Sequence, residues 1–304
     1  MKADAVFEGG GIKGIAFIGA IARMEEEGYT WEKVAGTSAG SIVAALLAAG
    51  YTSAELYPIF QRLDYLSFLQ RKGLHKIPYV GSILQLLTRK GLYDSDPIEK
   101  FIYHLLRKKR VQTFGDIAPE HLRIIASDIT EGSMLVLPDS LESFGIDPAS
   151  FPIARAVRMS SSIPYFFQPF VLAKEGQKHV IVDGGLLSNF PVWLFDVPGK
   201  PRWPTFGFRL SNALPKQEPA EIKGVVSFTK ALITTMLDAH DRYYVSRAHA
   251  VRTIFIPTLD VRATQFHIPE QKRVELLASG REAASRFLSS WDFEKYIREF
   301  RSSL

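Results

Sequence analysis

The sequence contains no cysteine among its 304 residues. Without a thiol, the chain forms no disulfide bonds or thiolate zinc sites and has no cysteine nucleophile. Long apolar runs are also missing, since the longest near the start, residues 42–49, is too short to cross a bilayer. The first residues carry no apolar signal core, so we expect a cytoplasmic protein.

Charge and composition are those of a globular protein with a mild basic excess. Lys and Arg number 37 against 32 Asp and Glu, which gives a net charge of +5, and 46% of the residues are hydrophobic. A basic surface fits an anionic membrane, whereas no nucleic-acid reader motif occurs, so we expect no nucleic-acid partner. No repeat or low-complexity linker divides the chain, so we expect one domain over 1–304, ending in helices within 270–304.

The first fifty residues alternate between strand and helix. Apolar patterns predict strands at 5–7 and 31–35 and helices at 15–27 and 41–49. This order favours an α/β fold with a largely parallel sheet and helices on both faces. Further strands are expected at 122–127, 134–137, 180–182, 205–209 and 253–256, and further helices at 97–106, 153–160, 227–248, 271–289 and 292–301.

The turn at residues 36–40 reads Gly-Thr-Ser-Ala-Gly, which matches the nucleophile-elbow pattern. A serine held on a sharp strand-to-helix turn needs neighbours without side chains, and glycine supplies them on both flanks. Ser38 would lie at a helix N-terminus, where backbone N–H groups favour developing negative charge. The alternative is a tight turn with a helix-capping serine.

An earlier turn, residues 9–14, reads Gly-Gly-Gly-Ile-Lys-Gly and can present successive N–H groups to an anion. One interpretation is an oxyanion hole that faces Ser38. The other is a dinucleotide fingerprint, which requires an acidic residue at the end of the next strand. Glu32 stands at the start of that strand instead, so the fingerprint is half met.

An activated serine needs a base, and Asp183 follows an apolar strand and precedes two glycines. Ligand sites of open α/β sheets lie at such strand ends, and the glycines permit close approach to another backbone. Asp128 is the competing carboxylate. It lacks the glycine pair, so we expect a structural turn role for it.

A conventional Ser–His–Asp triad would require a histidine after the aspartate, as the chain order of such hydrolases has it. Only His240, His249 and His267 follow Asp183. None of the three lies in a recognisable catalytic turn. A conventional carboxylesterase therefore remains an alternative without a motif of its own.

Taken together, the turns at 9–14, 36–40 and 183–185 resemble the patatin-like phospholipase family, in order and in spacing. The resemblance covers about residues 4–210. Further matching stretches are Gly-Leu-Tyr-Asp at 91–94, Ala-Arg-Ala at 154–156 leading into Ser-Ser-Ile-Pro at 161–164, and Asn-Phe-Pro at 189–191.

The resemblance implies a three-layer α/β/α fold and a Ser–Asp dyad that works without histidine. Ser38 would be the nucleophile and Asp183 its base, and the N–H groups of Gly10, Gly11 and Ile12 would hold the oxyanion. The implied reaction is hydrolysis of phospholipid acyl esters through an acyl-serine, as in phospholipase A or lysophospholipase, with no metal and no cofactor. A lipid-binding module with vestigial catalysis is a further alternative.

The stretch 61–110 is unusually basic, with eleven Lys or Arg against four Asp or Glu. We expect it to form a lid or a membrane-docking insertion, with the apolar segment 83–87 in the interface and peripheral association with the bilayer as the result. The alternative is that the basic run 107–110 only complements the C-terminus of the helix before it.

Overall fold

The computed structural model of the chain describes residues 1–69, 88–210, 247–263 and 265–301, together with the single positions 222, 224, 228 and 231. The apolar segment 83–87, and the predicted helix 227–248 except for two single positions and its last two residues, lie outside the described residues. Within the described ranges, no helix is both long enough and apolar enough to span a bilayer.

Ten strands and eight helices are used below. The strands are β1 (Lys2–Phe7), β2 (Thr30–Thr37), β3 (Gly91–Tyr93), β4 (Leu122–Asp128), β5 (Ser133–Leu137), β6 (Tyr165–Phe167), β7 (Phe170–Lys174), β8 (Gln177–Asp183), β9 (Thr205–Leu210) and β10 (Thr253–Ile256). The helices are α1 (Ile15–Glu26), α2 (Ala39–Ala48), α3 (Ser53–Arg62), α4 (Asp96–Lys108), α5 (Ile153–Ser160), α6 (Arg247–Val251), α7 (Glu270–Leu288) and α8 (Phe293–Phe300).

An eight-stranded sheet runs through the centre. Seven of its strands follow one another in the order β10-β9-β1-β2-β4-β8-β7, and the eighth, β5, pairs with β4. The strands from β10 to β4 are parallel, whereas β5 and β8 run antiparallel to β4, and β7 runs antiparallel to β8. A separate parallel ribbon joins β3 to β6. The predicted α/β fold with a largely parallel sheet is confirmed.

The two faces of the sheet bury different sets of side chains. Ala5 and Phe7 of β1 join the main core, which also includes buried residues of α1, α2 and α7. Val6, which alternates with them, points to the other face and packs with Ala35 and Phe195. This period of two is that of a strand buried on both faces, and it explains the short apolar runs of the early sequence.

Helix α3 is not among the sequence-based expectations, and it contains Pro58. The helix nevertheless has a capping box, in which the Thr52 side chain accepts from the Glu55 amide and Glu55 accepts from the Thr52 amide. That pair is a readable start signal for a helix. In the basic stretch that follows, Tyr65 and Phe68 are buried in the core and do not form an exposed aromatic face.

Candidate active site

The turn between β2 and α2 holds Ser38 in a strained conformation, with φ 52° and ψ −122°. A side chain at Gly36 would overlap the Gly40 backbone, and one at Gly40 would overlap the carbonyl groups that end β1. Both flanks must therefore be glycine, which is the steric requirement of a nucleophile elbow.

The Ser38 hydroxyl donates a hydrogen bond to Asp183, with 2.6 Å between Oγ and Oδ2. Both side chains are buried, at 6% and 4% exposure. The second carboxylate oxygen, Oδ1, accepts from the Gly185 amide at 2.8 Å. One oxygen of the carboxylate is therefore held by the backbone while the other faces the serine.

The geometry of strand β4 brings these two residues together. Its residues 122–125 pair with β2, its residues 126–128 pair with β8, and its residues 124–128 pair with β5. Because β5 overlaps both of the other partners, β2 and β8 share the opposite edge of β4. They run in opposite directions along that edge, so their carboxyl ends meet head to head.

Burial shifts the acidity of the carboxyl group. Removal from water raises the pKa of Asp183 to about 6, against the opposing effect of hydrogen bonds from the Ser38 hydroxyl and the Gly185 amide. A carboxylate with this pKa is a far better proton acceptor near neutral pH than an aspartate in water.

The glycine loop at 9–14 lies against the serine. A Cβ placed on Gly9 would be 3.3 Å from the Cβ of Ser38. Among the described residues, the amides of Gly10 and Gly11 donate to no protein acceptor. The amide of Ile12 donates to the Ala263 carbonyl at 3.1 Å, so of the three predicted oxyanion donors only two are available in this structure.

The turn at the end of α5 contacts both halves of the serine–aspartate pair, and sequence reasoning missed it. Ser160 accepts from the Ser38 amide, with 2.8 Å between N and Oγ. The carbonyl of Ser162 accepts from the Asp183 amide at 2.9 Å. The signal in the sequence is the run of serines before the Ile-Pro at 163–164, a stretch that the family resemblance includes but to which local sequence assigns no role.

Of the three histidines that a conventional triad could use, the structure describes His249 and His267. The His249 ring lies 3.5 Å from the Asp196 carboxylate. Of the histidines that the structure describes, none is hydrogen-bonded to the serine–aspartate pair. His240 lies outside the described residues.

Among the residues that the structure describes, one cluster offers metal-ligand atoms, namely Asp128, Glu131 and His179, within 4.8 Å of one another. The ring Nδ1 of His179 is hydrogen-bonded to Asp128 at 2.7 Å, and Lys174 donates to Glu131 at 2.9 Å. These donors already have protein partners. Asp128 also accepts from the Thr130 amide, which is the turn role that the sequence predicts for it.

A model of the patatin-like phospholipase family matches residues 5–196 of the chain. The chain belongs to the patatin-like phospholipase family. The resemblance read from the glycine turns is thereby confirmed, and membership supports lipid-hydrolase activity in general terms.

Relatives of this patatin-like chain differ in length and identity. The Bacillus subtilis protein YqhO is 42% identical over 293 residues, which are 96% of this chain and 100% of that protein. The lysophospholipase NTE1 of Saccharomyces cerevisiae is 29% identical over 192 residues, which are 62% of this chain and 10% of that protein.

Among solved structures, VipD from Legionella pneumophila aligns with a TM-score of 0.57 at 18% identity, covering 95% of this chain and 67% of that one. The likeness shows that the two chains share a fold.

Proposed function

We propose that this protein is a lipid acyl hydrolase of the phospholipase A or lysophospholipase type, with Ser38 as nucleophile and Asp183 as its base. The observation that carries the proposal is the 2.6 Å hydrogen bond between the two buried side chains at a strained turn. A nucleophile and a base within hydrogen-bond reach form the minimal unit of covalent acyl transfer.

In the first half of the reaction, Ser38 Oγ attacks the ester carbonyl carbon and its proton passes to Oδ2 of Asp183. Negative charge develops on the carbonyl oxygen, and the amides of Gly10 and Gly11 donate to it. When this intermediate collapses, the ester C–O bond breaks and Asp183 returns the proton to the departing alkoxide. The products are the alcohol and an acyl group on Ser38.

In the second half, Asp183 takes a proton from a water molecule as the water oxygen attacks the acyl carbon. The same two amides stabilise the second oxyanion. Collapse breaks the bond to Ser38 Oγ, which recovers its proton from Asp183, and a fatty acid leaves. The base is therefore an ionised carboxylate again at the end of each cycle.

An apolar cavity beside the serine supports the proposal that the substrate carries an acyl chain. It has a volume of about 30 Å³, and its lining includes Gly11 and Ala39, which is next to Ser38, together with Phe60, Phe68 and Phe101. Ligand pockets typically measure roughly 300–1,000 Å³, so we expect the surrounding helices to separate when a chain binds.

The proposal is tested by incubating the protein with vesicles of mixed phospholipids and lysophospholipids. We expect released fatty acid, and mass spectrometry of quenched samples should find an acyl group on Ser38. The variants Ser38→Ala and Asp183→Asn should release none above background. Vesicle binding without release by the unmodified protein would instead indicate a lipid-binding module and refute the proposal.

A further inference from the structure

The turn at the end of α5, residues 160–162, contacts the backbone of both proposed reacting residues. Ser160 Oγ accepts from the Ser38 amide at 2.8 Å, while the Ser162 carbonyl accepts from the Asp183 amide at 2.9 Å. Ser38 and Asp183 are 145 residues apart in the chain. A single rigid turn therefore contacts the two groups whose separation decides whether a proton can pass between them.

The hydroxyl of Ser160 acts as a hydrogen-bond acceptor toward one partner and as a donor toward another. It accepts from the Ser38 amide and donates to the Ile125 carbonyl of β4 at 2.5 Å. The Ser160 side chain is completely buried. Only a hydroxyl satisfies both groups, and its removal would leave a buried donor and a buried acceptor without a partner.

Neighbouring contacts fix the turn itself. The Ser162 hydroxyl donates to the Arg158 carbonyl at 2.8 Å. The Arg158 guanidinium in turn donates to Ser95 Oγ at 2.9 Å and to Glu99 at 3.0 Å, which ties α5 to the start of α4. The turn is therefore held by a charged network whose anchor lies on another helix.

We propose that Ser160 is a positioning residue, which holds the strained Ser38 elbow where its hydroxyl meets the carboxylate of Asp183, the residue whose backbone amide binds the Ser162 carbonyl. This inference rests on the proposed function, since it concerns the same reaction. Ser160 acts through the Ser38 backbone, and its contribution is to keep the distance between Oγ and Oδ2 short. A misplacement of about 1 Å costs on the order of 100-fold in rate.

A matched control lies at the next residue. Ser161 is also buried, on the same turn, and its hydroxyl has no hydrogen-bond partner among the described residues. The substitutions Ser160→Ala and Ser161→Ala therefore remove the same atom from adjacent buried positions. Only the first of them removes a contact to Ser38.

The test uses the rate at which a fluorophosphonate probe labels Ser38, because this rate reports hydroxyl reactivity without any lipid. We expect Ser160→Ala to lower the rate by about 10- to 100-fold and Ser161→Ala to change it less than twofold. Ser160→Thr keeps the hydroxyl and should recover most of the rate. Equal labelling of the Ser160→Ala and Ser161→Ala variants would overturn the inference.

The pH dependence of labelling separates positioning from simple destabilisation. The hydrogen bond from Ser38 lowers the pKa of Asp183 against the effect of burial. A looser elbow weakens that bond, so the acid limb of the Ser160→Ala profile should move to higher pH by about half a unit or more. A limb that stays in place would count against positioning.

The outcomes also separate this inference from the proposed function. If the unmodified protein is labelled but cleaves no lipid, and Ser160→Ala still slows labelling, the lipid substrate is refuted while positioning stands. If lipid is cleaved and both alanine variants behave alike, only positioning is overturned. Absence of labelling in the unmodified protein contradicts both.

A second measurement covers the case in which Ser160→Ala does not fold. Hydrogen exchange followed by mass spectrometry on the unmodified protein should show a protected Ser38 amide, since that amide donates to Ser160. An amide that exchanges as fast as those of exposed loops would overturn the inference without any variant.

Discussion

Asp183, the last residue of β8, pairs with Ala126 of β4. Thr37, the last residue of β2, pairs with the preceding residue of β4, Ile125. The serine that follows β2 and the aspartate that ends β8 therefore meet at one point on one strand. Because both strands are fixed by ladder hydrogen bonds to β4, the distance between the two side chains depends on the register of the central sheet.

The substitution Asp183→Asn should separate activity from stability. We expect a loss of about 10³-fold or more in kcat/KM, because the amide cannot accept the serine proton. In the folded protein, burial raises the pKa of Asp183 to about 6, so its ionisation costs folding free energy above that pH. The variant should therefore gain stability relative to the unmodified protein as pH rises.

The sign and size of this gain follow from the two pKa values. Below about pH 4, the pKa of this aspartate in the unfolded chain, the carboxyl is neutral in both the folded and the unfolded protein. The buried carboxyl is more stable neutral than ionised, and this stabilisation of the fold is lost as pH rises through about 6. The difference in unfolding free energy between variant and unmodified protein should thus grow by up to about 3 kcal/mol from pH 4 to pH 8. Urea unfolding at both pH values measures it, and a constant difference would contradict the raised pKa.

The same carboxyl group governs the pH dependence of the reaction. Asp183 must be ionised to accept the proton, so kcat/KM should fall by about tenfold per pH unit below its apparent pKa. With the pKa raised to about 6, the acid limb should lie near that value and well above the limb of an aspartate in water. Initial rates on a short-chain ester from pH 4.5 to 9 test this, and a plateau extending down to pH 4.5 would remove Asp183 as the base.

The proposed oxyanion role of the glycine loop at 9–14 can be tested with two glycines that both have a positive φ. Gly11 has φ 55° and a Cβ there would overlap the Ala263 backbone, whereas Gly132 has φ 67° with open space around it. Gly132→Ala should cost about 1 kcal/mol of unfolding free energy without lowering kcat. Gly11→Ala should cost more and lower kcat by about 10²-fold, because it displaces an oxyanion donor. Equal effects on kcat would contradict this role of the loop.

Much of the site can be read from local sequence. The elbow at Ser38 follows from glycines on both sides and from the change of apolar period between strand and helix. The choice of Asp183 over Asp128 rested on the glycine pair after it, and a side chain at Gly184 would indeed overlap the Ile125 carbonyl. The glycine patterns themselves are local in the chain, so one sequence is enough to predict them.

Other features depend on contacts between distant segments. The antiparallel direction of β8 is not encoded in its own apolar run, since an apolar run predicts a strand and not its partner. The contact between the Ile12 amide and Ala263 joins residues 251 positions apart and removes a predicted oxyanion donor. The role of Ser160 likewise depends on where α5 packs, which no local pattern states.

The basic run at the end of α4, residues 107–110, contains both ion-paired and exposed side chains. Lys109 donates to Glu55 at 2.7 Å and lies over the Tyr51 ring, so it holds α4 against α3. Arg107 and Lys108 are exposed. If the stretch 61–110 docks on anionic membranes, exposed charges such as Lys108 contribute, and Lys109 is unsuited as a probe because its replacement also breaks a contact within the fold.

Charge reversal at Lys108 should therefore weaken vesicle binding. We expect Lys108→Glu to lower affinity for vesicles containing phosphatidylserine by about tenfold or more, since each basic residue near an anionic surface contributes about 1 kcal/mol. Lys178→Glu makes the same charge change at an exposed position near the start of β8 and should have little effect. Sedimentation at rising salt measures both, because docking by charge weakens as salt screens it. Equal losses in the two variants would show that net charge, and not this surface, controls binding.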